Sequence, residues 1–274
     1  MKISVITSSY NQSAFLRQTI ESVLSQEWPD VEYIVVEGGS WDDSRQIANE
    51  YAEQGRLKLV DYPESRQAQA INRGLALATG DVMAWLNSDD IYLDHAFARV
   101  AATFAENTEA GAVYGHELSI NATGDVIGIR LAAAGLDAKT ALWNGISIPQ
   151  PAVFFRREVY ESVGGLDETF DYALDTEYWN RIVKRFRFKH LPQVLAATRH
   201  HKDAKTGLGT GSSCFGKNAK HFYREGARAF LIHGGRKVAP YYLQNRANRY
   251  LRNRMAQKVV SRLIGVYGRF TVSK

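Results

Sequence analysis

Two adjacent carboxylates, Asp89 and Asp90, end the run Trp85-Leu86-Asn87-Ser88-Asp89-Asp90, directly after the apolar stretch Val82 to Leu86. Carboxylates at the carboxyl end of a buried strand stand where open α/β sheets bind their ligands. Paired oxygen donors of this kind suit a hard divalent cation, Mg²⁺ or Mn²⁺, shared with a phosphate. The plainer reading is a helix cap, with Asp89 or Asp90 opening the segment that begins near Tyr92. Two further polar clusters end apolar runs: Ser8-Ser9-Tyr10-Asn11-Gln12 and Glu37-Gly38-Gly39-Ser40. The three clusters could together surround one nucleotide. A G-x-G-x-x-G turn after the first strand and a G-x-x-x-x-G-K-[ST] loop are both absent, which weighs against NAD-linked enzymes and P-loop NTPases.

The elements that must position these clusters alternate between strand and helix patterns. Ile3–Thr7, Tyr33–Val36, Leu57–Val60 and Val82–Leu86 read as strands. Between them, Phe15, Leu16, Ile20, Val23 and Leu24 fall on one helical face with Ser13 as cap. Ile47, Ala48 and Tyr51 mark a second helix, and Ala68, Ile71, Leu75 and Ala78 a third, stopped by Gly80. This alternation predicts an α/β fold, a doubly wound, mostly parallel sheet with helices on both faces. Further along, Ala112–Tyr114, Val126–Ile129 and Val153–Phe155 read as strands, with Asn121 to Asp125 a turn. Glu158–Val163 and Thr176–Phe186 read as helices, the latter capped by Asp175.

Of 274 residues, 45% are apolar and 23% charged, an ordinary globular balance. The first residues read as a strand and not as a signal peptide, so a cytoplasmic protein is expected. The single cysteine, Cys214, excludes an internal disulfide. The net charge of +5 is unevenly distributed. Residues 216–274 carry 14 Lys/Arg and one acid, Glu225, while residues 1–215 carry 20 basic and 28 acidic residues. A basic tail of this kind, patterned as a helix with an apolar stripe from Leu243 to Leu263, fits an anionic membrane surface at its inner face. No nucleic-acid motif accompanies the arginines, and nucleic acid is not the expected partner. The Gly/Ser-rich stretch 207–216 reads as a flexible linker or lid.

Taken in order, the motifs resemble the inverting glycosyltransferase family two, which has the GT-A fold. The resemblance is carried by Thr7-Ser8-Ser9-Tyr10-Asn11-Gln12, Glu37-Gly38-Gly39-Ser40-Trp41-Asp42, Gln67 to Gly74 and Leu86-Asn87-Ser88-Asp89-Asp90. It continues through Pro149-Gln150-Pro151-Ala152, Gly164 to Glu168 and Ala173-Leu174-Asp175-Thr176-Glu177-Tyr178-Trp179. It spans roughly the first 205 residues.

The resemblance implies transfer of a sugar from a nucleoside-diphosphate sugar, with UDP-sugars favoured, to a hydroxyl of a carbohydrate or lipid-linked acceptor in surface polysaccharide or glycolipid assembly. It implies a divalent cation, Mn or Mg, at Asp90 with Asp89, and a general base at Asp175, whose usual Glu neighbour is here Leu174. His201 and Lys205 match an Arg-x-His-x-x-x-Lys pattern near the metal and diphosphate. Thr7, Ser9, Tyr10, Asn11, Glu37, Gly39, Ser40, Arg66, Gln69, Asn72, Asn87, Asp89, Gln150 and Lys205 are the expected nucleotide-sugar residues. Glu37 replaces the Asp that many relatives carry. Arg73 and Glu177 are weaker candidates for the diphosphate and for the base.

The expected layout is a domain over 1–206, divided at residue 110 into nucleotide-sugar and acceptor halves, then the linker 207–216 and a basic helical extension 217–274. Two rivals remain at this level: a sugar nucleotidyltransferase, and a non-catalytic sugar-nucleotide-binding subunit.

Overall fold

The structure is a computed structural model that describes residues 1–137, 148–205 and 219–233. Its first half is the alternation the sequence predicts. Strands β1 (Ile3–Ser9), β2 (Val31–Glu37), β3 (Lys58–Asp61) and β4 (Val82–Trp85) alternate with helices α1 (Ser13–Leu24), α2 (Ser44–Glu53) and α3 (Gln67–Leu77). The four strands pair in parallel in the order β3-β2-β1-β4. Both faces are covered, so β1 and β4 are buried almost throughout, as parallel strands are. Ile3 and Val5 pack with Leu16, Ile20 and Val23 of α1 and with Ile47 of α2. Ile6, one pleat step away, packs with Ile71 and Leu75 of α3 on the opposite face. There α3 lies so close that a Cβ on Gly74 would stand 2.4 Å from Ile6.

The second half turns the sheet mixed. After β5 (Ile91–Tyr92) and α4 (Ala96–Glu106) come β6 (Ala110–Asn121) and β7 (Val126–Arg130). A 3₁₀ turn at Gln150–Ala152 leads into β8 (Val153–Arg156) and α5 (Arg157–Val163), followed by α6 (Leu174–Ile182), β9 (Arg187–His200) and α7 (Ala219–Ile232). The sheet extends as β4-β8-β6-β9-β5, with β7 beside β6. β8 is antiparallel to both β4 and β6, and β9 runs parallel to β6. The carboxyl ends of β1, β2, β4 and β9 therefore share one edge of the sheet. The 14-residue β9 has no counterpart among the sequence-predicted strands, because Arg187, Lys189, His190, Pro192 and Gln193 interrupt any apolar run.

Two helix starts differ from expectation. α6 begins at Leu174 with Ala173 as N-cap, so Asp175 lies inside the first turn and is not the cap. Ser13 is the first residue of α1 and does not cap it. The linker 207–216 and the tail beyond His233 lie outside the described residues, and of the expected extension only α7 is described. No helix among the described residues is long and apolar enough to cross a membrane.

Candidate active site

Three loops meet at the carboxyl edge because β2, β1 and β4 are neighbours: Ser9 pairs with Glu37, and Ile6 with Trp85. The first two loops are stitched together. The N–H groups of Asn11, Gln12 and Ser13 donate to Ser40 Oγ at 2.9 Å, Ser44 Oγ at 2.8 Å and Asp42 Oδ2 at 3.0 Å. The Gln12 and Ser13 groups are donors that the start of α1 leaves orphaned, and the neighbouring loop satisfies them. Burial would raise the Asp42 carboxyl, but its bonds from Ser44 and Ser13 hold it below the usual range. The Asn11 side chain, on a residue with φ of +52°, accepts the Trp41 N–H at 3.0 Å.

Buried Glu37 folds its own loop: its carboxylate accepts the N–H groups of Gly39 and Ser40 and the Ser40 hydroxyl. Gly39 makes that turn at φ +89°, with Pro63 3.2 Å from where a Cβ would stand. Thr7 is fully buried and accepts the Tyr33 hydroxyl at 3.0 Å, while the buried Ser9 hydroxyl has no partner among the described residues. Tyr10 and Trp41 stand exposed at the rim, 57% and 82%.

The third loop separates the two carboxylates. Asp90 is turned inward: Oδ1 accepts the Arg199 N–H at 2.9 Å and Oδ2 the Asn87 amide at 3.1 Å. Burial, then the charges of Asp89 and Glu117, push its carboxyl well above the usual range, against the bonds from Arg199 and Asn87. Asp89 faces the other way, with its Oδ2 3.0 Å from His201 Nε2. The His201 side chain is itself 4% exposed and packs against Phe15. The partner of His201 is thus Asp89, while the Asp90 carboxylate, expected as a cation ligand with it, bonds Arg199 and Asn87.

Arg199 frames this junction. Its guanidinium bonds the Asp89 carbonyl, the carbonyls of Asn121 and Ala122, and Gln18, and lies over the Phe15 ring. A hydrogen-bonded relay then crosses the site. Asn87 Nδ2 donates to Gln150 Oε1 at 3.1 Å, Gln150 donates to the Trp85 carbonyl, and Gln67 donates to Asn87 Oδ1 at 2.9 Å. Lys205 Nζ donates to Gln67 at 3.2 Å and lies 3.9 Å from Asp171.

Asp171 leads into α6, the helix of Asp175. One turn after Asp175, Trp179 stacks on Trp85 at 4.9 Å, which fixes α6 to the strand that ends in the aspartates. Half-buried Asp175 accepts the Thr176 N–H at 2.6 Å.

Several expected donor residues have other work. Gln69 accepts the Arg66 N–H in a capping box, and Asn72 exchanges bonds with Leu166 and Glu168 to brace that loop. Arg66 and Arg73 are exposed on α3. Glu177 is buried against Arg181 and His233. The reach of Arg199 was legible only as a motif letter. Gln67 was visible as the head of its motif, but nothing marked its bonds to Asn87 and Lys205.

A divalent cation fits this edge by its donor chemistry. Asp89 Oδ2 and His201 Nε2, an oxygen and a nitrogen donor that already meet at 3.0 Å, would hold it. Among the described residues no group of three or more such donors converges.

The profile of Glycosyl transferase family 2 matches residues 4–164, more than half of the chain. The chain belongs to glycosyl transferase family 2. Within this family it is 34% identical, over 178 residues, to an uncharacterised glycosyltransferase of Nostoc sp., an alignment that covers 61% of this chain and 54% of that protein. The fold is that of the GT-A-like glycosyltransferases of known structure. The S. aureus TarS 1–349 complex with UDP-GlcNAc superposes with a TM-score of 0.65 at 18% identity, over 85% of this chain and 66% of that one. A mannosyltransferase of Pyrobaculum calidifontis in complex with GDP-Man and Mn²⁺ superposes with a TM-score of 0.62 at 17% identity, over 97% of this chain and 76% of that one. The chain thus spans about half of the Nostoc protein's length.

Proposed function

We propose that this family 2 member transfers one sugar from a nucleoside-diphosphate sugar to an acceptor hydroxyl, with inversion at the anomeric carbon. The observation that carries the reading is the meeting of Asp89 with His201, 3.0 Å apart at the edge where three strands of the parallel sheet end. Asp89 and His201 would hold the divalent cation, and Asp90 supports their loop from within. When bound, the cation neutralises charge on the departing diphosphate as a Lewis acid. Tyr10, Asn11 and the Glu37–Ser40 loop shape the nucleoside side of the pocket, and Lys205 faces the phosphates. UDP-GlcNAc and GDP-Man in the structural neighbours support a nucleotide-sugar donor.

In the transfer, the acceptor oxygen attacks the anomeric carbon and the bond from that carbon to the phosphate oxygen breaks. The bonding pair leaves with the nucleoside diphosphate, and the acceptor proton passes to the Asp175 carboxylate. The charge of residues 216–274 supports an anionic membrane surface as the place where the acceptor is met.

A panel of UDP- and GDP-sugars assayed for nucleoside diphosphate release with Mn²⁺ tests the reading. Asp175→Asn should lower turnover by about 10²–10⁴-fold while leaving nucleoside diphosphate affinity within about twofold. Turnover at the parental level in Asp175→Asn refutes the base.

A further inference from the structure

Glu225 is the single acid among the 14 Lys/Arg of residues 216–274. It lies on α7, and one carboxylate oxygen accepts three successive backbone N–H groups: Asp171 at 2.9 Å, Tyr172 at 2.7 Å and Ala173 at 3.1 Å. These residues run directly into α6, whose N-cap, Ala173, has no side chain to offer. The helix start orphans the Ala173 N–H, and the run of N–H groups leading into it converges on one anion. Here the anion comes from a segment 52–54 residues further along the chain.

The turn that Glu225 grips carries the groups assigned to the chemistry. Asp175 follows Ala173 by two residues in the same helical turn. Asp171 is 3.9 Å from Lys205, and the Lys205 ammonium lies over the Tyr172 ring at 5.3 Å. Through Gln67 and Asn87, Lys205 connects to the loop of Asp89 and Asp90.

The rest of α7 holds Glu225 in place. Arg228 stacks over Phe170 and donates to the Thr169 hydroxyl at 3.0 Å, and His221 stacks on Tyr172. Ala229 and Phe230 are buried, and His233 bonds Glu177 at 3.1 Å. The first helix of the basic extension is therefore clamped on both sides of the residue that carries its one negative charge.

We infer that Glu225 is a positioning residue for sugar transfer: it fixes the 171–173 turn and, through it, the placement of Asp175. The inference rests on the reading of Asp175 as the base. It gives a reason for an acid in an otherwise basic segment. Charge-assisted bonds to backbone N–H groups are roughly twice as strong as neutral ones. A glutamine therefore keeps the reach and an acceptor oxygen but holds the turn less firmly, and an alanine leaves all three donors open.

The test uses the full chain with Glu225→Gln, Glu225→Ala and Asp175→Asn in parallel. Nucleoside diphosphate release is measured from whichever panel sugar nucleotide the parent turns over fastest, with thermal melts on each variant. A misplaced reacting group costs up to about 10²-fold. Glu225→Ala should accordingly lose at least about tenfold in kcat with donor KM within about threefold, and Glu225→Gln should fall between it and the parent. Should Glu225→Ala fail to fold, Glu225→Gln alone carries the test, with the same split of kcat from KM. Parental kcat in the folded Glu225 variants, or a rise in KM with kcat unchanged, overturns the inference. If those variants are unimpaired while Asp175→Asn is inactive, positioning by Glu225 fails and the base stands. If Asp175→Asn is fully active, the reading of the base fails first.

Discussion

Asp90 is 2% exposed and spends both carboxylate oxygens on Arg199 and Asn87, whereas Asp89, next to it, meets the His201 imidazole. On the proposed function, adjacent acids thus divide between framework and chemistry. Removing Asp90 strands a buried backbone N–H and an amide, a loss of about 1–3 kcal/mol. Asp90→Ala should therefore melt several degrees below the parent, by roughly 2–4 °C per kcal/mol for a chain of this size. Asp89→Ala should lose less, because among the described residues its carboxylate makes one side-chain bond, to His201, where that of Asp90 holds a buried backbone N–H and an amide. Calorimetric melts of the two variants check this, and equal losses would contradict the division. The same contrast separates Asn72, occupied in bracing the 166–168 loop, from Asn87, which belongs to the relay of Gln67 and Gln150.

Among elements, a carboxylate with several partners ties the parallel strands together at their far edge. Glu32 on β2 accepts bonds from Ser4 on β1, from the N–H and hydroxyl of Thr79 before β4, and from Lys2. Burial would raise its carboxyl, but the Ser4 and Thr79 bonds and the Lys2 charge outweigh it and bring it from 4.5 down to about 2. A lowered folded-state pKa means stability that is present above the unfolded value and lost as pH falls through the folded one. Unfolding free energy should decline between pH 4.5 and about 2, with Glu32 responsible for on the order of 2 kcal/mol of the loss. Denaturant titrations across that window on the parent and Glu32→Gln measure it. A slope unchanged by the substitution would rule Glu32 out.

The elements of this half were legible because both-face burial writes β1, β2 and β4 as apolar runs. β9 was hidden, since its polar outer positions break the run and its partner β6 is far away in sequence. The capping of α1 by Ser44 and Asp42, and of α6 by Glu225, was equally hidden. A cap supplied from a distant loop leaves no local signal.

At the scale of the whole molecule, the ends of β1, β2, β4 and β9 bring residues 9–12, 37–42, 87–90 and 199–201 to one edge, and the Trp85–Trp179 stack brings α6 to it. The order of motifs along the chain announced this convergence. The assignment of individual residues needed the geometry, as Asp89, Glu37 and Asn72 each show. The central claim is that this edge grips a diphosphate through a cation held by Asp89 and His201. Its most direct measurement is calorimetric titration of UDP, with GDP alongside, into the full chain with and without Mn²⁺. The account predicts binding that depends on Mn²⁺, weakens at least about tenfold in Asp89→Ala and persists in Asp175→Asn. A nucleoside diphosphate bound equally well without the cation, or equally well by Asp89→Ala, contradicts it.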